Sequence, residues 1–268
     1  MPDPKTYHFT LPAYSGPPLA MPPAKVFPGV DGVVQKSSRD RKARGDGIIR
    51  AIVIHATAGS TSSGAMSNTF AGKSSFHYLV PGERDAEHGS TIFRCIPEER
   101  AAWHVRNDAS HPSVNGGSRL VNYWSIGIEI VNVGKSSDPY SAWQLAQAAA
   151  LVRHLWSKHR TITEVVSHAK LDPSRRTDPG SHFPWSSFRD AVLAPAPETM
   201  ELATAVAVSA GAPVRILGPR GAEIDCDPVL LDGATVAEVR PLVEALGFAI
   251  EYDRETPMTM KIVRRKRA

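Results

Sequence analysis

Two of the ten histidines in this 268-residue chain stand where α/β proteins commonly place chemistry. His55 closes the apolar run IIRAIVI (48–54), and a loop of small residues, ATAGS, follows it. His168 ends the short run TITEVVS (161–167) in the same way, and Asp178 lies ten residues further on, inside RRTDPG (175–180). At such places the sheet fixes a side chain while the loop after it opens a cleft. Two imidazoles and one carboxylate form a three-donor set for one zinc ion, with the fourth tetrahedral position left to water. Histidines at strand ends also serve as structural hydrogen-bonding groups, and the spacing matches neither HExxH nor any other short zinc motif. On these residues alone both readings stand.

Glu129 is the next candidate. In SIGIEIVN (125–132) the residues Ile126, Ile128 and Ile130 share one face of an extended strand, while Gly127, Glu129 and Val131 share the other. A carboxylate on that second face is costly to bury without a partner. It is either a general base serving a zinc-activated water or a solvated glutamate on an edge strand.

The elements that must position these groups follow from hydrophobic periodicity. Strands are predicted at 48–54, 75–80, 91–96, 125–132 and 161–167, and the first, nearly continuous and β-branched, reads as buried on both faces. A helix over 141–159 opens with a capping box, Ser141 with Gln144, and repeats Leu145, Ala148, Ala149, Val152, Leu155 and Trp156 at helical spacing. A closing helix is predicted at 186–193. The pattern gives an α/β fold with a mixed central sheet flanked by helices. Ahead of it, residues 1–46 form a Pro-rich and basic arm, with eight prolines in the first 30 positions that disfavour helix and central strand. The domain carrying the candidate site spans 47–194, and the Ala/Pro-rich stretch after it opens a linker at 195–204. Residues 205–268 form a small α+β domain, with strands at 214–217, 225–231, 248–252 and 258–263 and a helix at 241–246.

Net charge is +4, spread as +3 over residues 1–47, +2 over 48–200 and −1 over 201–268. Five basic residues crowd into 261–267, but no single basic face dominates, which argues against a nucleic-acid partner. Two cysteines, Cys95 and Cys226, exclude a disulfide framework and a thiolate metal site. No apolar run reaches the roughly 18–20 residues of a membrane span, and the first residues lack the pattern of a secretory signal. Synthesis in the cytoplasm without a signal peptide is the expectation.

Five ordered blocks resemble the N-acetylmuramoyl-L-alanine amidase family, the zinc amidase type shared by phage endolysins and animal peptidoglycan recognition proteins. They are HATAG (55–59), His77-Tyr78, Trp103-His104, SIGIE (125–129), and His168 followed by RRTDPG (175–180). The resemblance covers roughly residues 48–190. It implies zinc on His55, His168 and Asp178, a catalytic role for Glu129, and hydrolysis of the bond between N-acetylmuramic acid and L-alanine in bacterial peptidoglycan. Arg176 occupies a position often lysine in the family. It remains able to stabilise an oxyanion but not to shuttle a proton. Phe76 stands where some members carry tyrosine.

His77, Tyr78, Trp103 and His104 are expected to line the substrate groove, with core packing the stronger reading for Tyr78 and an equal one for Trp103. The tail, 225–263, resembles the small stalk-type domain first named from a copper amine oxidase N-terminus, which occurs on bacterial wall hydrolases. It is read as wall-binding, with a spacer or dimer module as the alternative. The whole reads as a monomeric phage-type endolysin acting on the bacterial cell wall after release. Its alternatives are a cytoplasmic wall-recycling amidase and a non-catalytic peptidoglycan-binding protein. Non-catalytic members of the superfamily typically lack a metal ligand, and all three are present here.

Overall fold

The computed structural model describes residues 2–30, 48–89 and 91–194, and beyond these the backbone of five short strands between 206 and 264. The chain divides into two compact units, Met1–Ala194 and Pro195–Ala268.

The first unit is built on seven strands: β1 (His8–Thr10), β2 (Ala24–Val26), β3 (Ala51–Ala56), β4 (Tyr78–Val80), β5 (Ile92–Arg94), β6 (Ser125–Ile130) and β7 (Glu164–Ser167). Side by side they run β1-β7-β3-β6-β4-β5-β2. The inner strands β7, β3, β6 and β4 are mutually parallel, while β1 on β7 and β5 on β4 are antiparallel. The sheet is therefore mixed, as the periodicity predicts. Among the described residues, five α-helices accompany it: α1 (Ser62–Phe70), α2 (Val121–Trp124), α3 (Ala142–Lys158), α4 (His168–Leu171) and α5 (Trp185–Leu193).

The predicted capping box opens α3, with Gln144 N donating to Ser141 Oγ and Ser141 N to Gln144 Oε1, each at 3.1 Å. Ala148, Val152 and Leu155 of that helix meet Phe188 and Val192 of α5 over Ile52, Ile54, Ile126, Ile128 and Ile130. Each large apolar side chain buried there contributes about 1.5–3 kcal/mol, so this layer outweighs the cap. Ala51, Val53 and Val166 point the other way and pack with Val105, Val114, Val121 and Leu171. The two faces thus divide as strand alternation requires.

The strand predicted at 75–80 is shorter, because Ser75 and His77 pair their backbones with Trp103, Gly127 and Cys95 instead of extending β4. Helix α1 was not foreseen. Its sequence SSGAMSNTF is poor in helix formers, and tertiary contacts hold it. Thr61 caps it by accepting from Gly64 N at 3.1 Å, and Ala65 and Met66 pack with Phe76, Leu79 and Phe93. The N-terminal arm supplies both edges of the sheet, where proline-rich sequence is tolerated. Tyr7 stacks on Trp185 with ring centroids 4.9 Å apart, and Trp156 Nε1 donates to Pro12 O at 3.0 Å.

Within the second unit, β9 (Ile216–Leu217) and β10 (Glu223–Ile224) form one antiparallel pair. Strands β11 (Phe248–Tyr252), β12 (Thr259–Arg264) and β8 (Val206–Ala207) form a three-stranded antiparallel sheet. The strand predicted at 225–231 and the helix at 241–246 lie outside the described residues, as does Cys226. Among the described residues, no helix is long and apolar enough to cross a membrane.

Candidate functional site

Sheet register brings the candidate residues together. His55 in β3 is the direct partner of Glu129 in β6, and Ile54 is the partner of Ser167 in β7, so His168 follows at the level of His55. All three lie at the carboxyl ends of neighbouring parallel strands, where open α/β sheets form their crevices. They also share the parity of Val53, Gly127 and Val166, and so face away from α3 and α5. Asp178 is brought in by its own loop: Ala169 N donates to Asp178 O at 3.0 Å, and Tyr140 OH to Pro179 O at 2.7 Å. Gly180 ends the turn at φ +92°, where a side chain would also meet the His182 ring at 2.9 Å.

His55 Nδ1 stands 3.0 Å from His168 Nδ1 and 3.2 Å from Asp178 Oδ2, and His168 Nδ1 is 3.1 Å from the same oxygen. A tetrahedral zinc with bonds of about 2.0–2.2 Å holds adjacent donors about 3.3–3.5 Å apart. The triangle fits such an ion after opening by a few tenths of an ångström. Burial, and after it His168, push the His55 imidazole down to about 4 against the opposing pull of Asp178. The ring is thus neutral near pH 7, the form that binds metals. Burial acts to raise the Asp178 carboxyl, but the close contacts with His168 and His55 outweigh it and hold the group below the usual aspartate range. Among the described residues, this is the one cluster of three or more such side chains placed to hold a metal ion.

Glu129 lies on the middle strand of the seven, which rules out the edge-strand reading. Its Oε2 is buried and has no hydrogen-bond partner among the described residues. Burial, and then the charge of Asp178, raise the carboxyl to about 8, with Arg176 acting in the opposite direction. A carboxyl poised near neutrality suits proton transfer. Arg176 is itself exposed, and its charge is felt at both Glu129 and His55.

Of the four residues named for the groove, His77 and His104 lie inside the fold instead, and Tyr78 does so in agreement with its core-packing reading. His77 is fully buried, its Nδ1 accepting from Gly127 N at 2.9 Å and its Nε2 paired with Arg100 O at 3.0 Å, so it replaces a missing strand partner. Tyr78 is 2% exposed and donates its hydroxyl proton to Glu98. His104 is 8% exposed and sits against His55. Such burial leaves these three no surface for a sugar or a peptide. Trp103 is partly exposed. Phe76 packs in the cluster of Met66 and Leu79. Sequence reasoning missed the His55–His104 contact, for which the lone glycine in an apolar strand, Gly127, was the available signal.

A family model described as N-acetylmuramoyl-L-alanine amidase matches residues 45–181. AmiD of Escherichia coli, an N-acetylmuramoyl-L-alanine amidase, is 34% identical over 149 residues, 52% of this chain and 52% of its own length. AmpD of Salmonella typhimurium, a 1,6-anhydro-N-acetylmuramyl-L-alanine amidase, is 34% identical over 116 residues, 43% of this chain and 55% of its own. The chain thus spans about half the length of the curated relatives it matches. The crystal structure of AMPDH3 from Pseudomonas aeruginosa superposes with a TM-score of 0.46 at 28% identity, covering 53% of this chain and 59% of that one. The family match takes in His55, Glu129, His168, Arg176 and Asp178 together and extends over just over half of the sequence; the chain belongs to the N-acetylmuramoyl-L-alanine amidase family.

Proposed function

We propose that this chain is a zinc-dependent N-acetylmuramoyl-L-alanine amidase, hydrolysing the amide bond between N-acetylmuramic acid and L-alanine in bacterial peptidoglycan. The triangle of donor atoms at 3.0–3.2 Å, with Glu129 paired beside it, carries the reading. His55, His168 and Asp178 would hold the ion, which when bound polarises a carbonyl and acidifies water near neutral pH. Glu129 takes the proton of the attacking water and passes it to the leaving nitrogen, so that L-alanine departs as an amine. Arg176 donates to the carbonyl oxygen as that atom gains negative charge, and loss of one such donor costs about 3–4 kcal/mol of barrier. The guanidinium stays protonated throughout, so the proton traffic falls to Glu129 alone.

For the biological setting, the likeness to AmpD, a 1,6-anhydro-N-acetylmuramyl-L-alanine amidase, favours 1,6-anhydro fragments as substrate. The basic stretch at 261–267 and the second unit favour the phage-type endolysin acting on intact wall. Digestion of purified murein and of soluble anhydromuropeptides, read by mass spectrometry, tests both levels. Expected are muramic acid with a free lactyl carboxyl and new L-alanine amino termini, absent with Glu129→Ala at unchanged zinc content. Cleavage at a glycan bond or within the stem would refute the bond assignment, and the faster substrate decides the setting.

A further inference from the structure

On the side of His55 away from the donor triangle lies a histidine that the proposed reaction leaves unused. His55 Nε2 is 3.0 Å from His104 Nδ1, and His104 Nε2 is 3.2 Å from Ser125 Oγ. The Ser125 hydroxyl donates in turn to Val121 O at 2.7 Å. This series ends on a carbonyl, which only accepts. With the hydroxyl proton committed there, Ser125 Oγ presents a lone pair to His104 Nε2–H. His104 Nδ1 is then bare and accepts from His55 Nε2–H. The proton of His55 is thereby held at Nε2, and its Nδ1 lone pair is left free on the side of His168 Nδ1 and Asp178 Oδ2.

Three features hold the His104 ring for this task. Asn122 Oδ1 accepts from His104 N at 3.1 Å and Val105 N at 2.9 Å, while Asn122 Nδ2 donates to Val105 O at 2.6 Å. Strand β6 has glycine beneath the ring, where a Cβ at Gly127 would lie 2.5 Å from His104 Cγ and 2.7 Å from its Nδ1. Burial keeps water from competing, since the residue is 8% exposed.

We propose that His104 is a positioning residue, anchored by Ser125, that fixes the tautomer and orientation of His55 so that Nδ1 is presented as a metal ligand. The inference rests on the metal-site reading above. A ligand histidine already committed through its other nitrogen binds a metal without first reorganising, and losing that partner weakens metal affinity about 10–100-fold.

Nitrogen-resolved NMR of the histidine rings in the metal-free full chain reads the tautomers directly. Protons on Nε2 of both His55 and His104 are expected, and a proton on Nδ1 of His55 overturns the proposal. Zinc affinity, measured by competition with a chromogenic chelator, is the second readout. His104→Phe fills the space without an acceptor and is expected to lose about 10–100-fold. His104→Asn, with an amide oxygen near the place of Nδ1, is expected to regain most of that loss. Equal affinities in the Phe variant and wild type overturn the proposal. If the Phe variant fails to fold by near-UV circular dichroism, Ser125→Ala replaces it: a mixed His104 tautomer is expected, and an unchanged one overturns the idea. If the wild type takes up no zinc, the metal-site reading fails, and the tautomers alone decide the role of His104.

Discussion

Replacing Glu129 with glutamine is expected to stabilise the metal-free protein at alkaline pH while removing hydrolysis. The carboxyl lies at about 8 in the folded chain against an ordinary value of 4.5. Below about pH 4.5 it is protonated in folded and unfolded chains alike, and folding is unaffected by it. Between that value and about 8 the unfolded chain releases the proton while the folded chain keeps it, so stability falls as pH rises, then levels off. At 1.36 kcal/mol per pH unit the full loss is roughly 5 kcal/mol, and water reaching the ionised group reduces it to about 2–4 kcal/mol. Glutamine has nearly the same shape and does not ionise. All five tryptophans, from Trp103 to Trp185, lie in the first unit, so urea unfolding followed by their fluorescence reports that unit alone. Wild type and Glu129→Gln should be of similar stability at pH 5, with the variant ahead by about 2–4 kcal/mol at pH 9. The zinc-loaded variant should lose at least about 100-fold in murein hydrolysis. Parallel stability curves for the two proteins would refute the argument that burial, uncompensated by a partner, holds this proton.

Asp178→Ala should abolish zinc uptake, and a normal metal content by elemental analysis would exclude Asp178 as a ligand. Dialysis against a chelator should stop hydrolysis and added zinc restore it, whereas chelator-resistant activity excludes a metal mechanism. Burial acts to raise the Glu98 carboxyl, but His159, Tyr78 and Lys158 outweigh it and hold the group below the usual glutamate range. Glu98→Gln should therefore cost about 2–3 kcal/mol near pH 7. That deficit should shrink as the pH falls below about 4.5, where the unfolded wild-type chain takes up a proton that the folded carboxylate still resists; a deficit that persists at low pH contradicts the assignment. Gly127→Ala should destabilise the first unit by about 1–3 kcal/mol through its collision with His104, and unchanged unfolding would show that the ring has room to move.

Strand alternation made the central part of the site readable. The isoleucines of β6 declare their face, and the end of each apolar run gives the position of His55 and His168. Asp178 is different, because a loop with Pro179 and Gly180 carries no periodicity, and its place in the loop after a strand-end histidine is what marked it. Alternation also fails to say what covers a face. Glu129 and Gly127 point the same way, yet one opens on the candidate site and the other lies beneath His104. For the same reason His77 and His104 looked like groove residues when they are interior ones, while Tyr78 packs in the core as its stronger reading had it. Helix α1 escaped notice because its residues have little helical preference of their own, and its fold depends on Phe76, Leu79 and Phe93, which come later in the chain.

Because the opening thirty residues fence the sheet on its two opposite borders, the stretch that matches the family is not a self-sufficient folding unit. A fragment trimmed to 45–181 would lack β1, β2 and all of α5, and with them the Tyr7–Trp185 stack. It would leave β7 and β5 with raw backbone donors and acceptors, an adhesive rim that invites strand exchange between copies. A minimal folded fragment of the first unit must therefore keep its proline-rich beginning, and must run at least as far as Leu193.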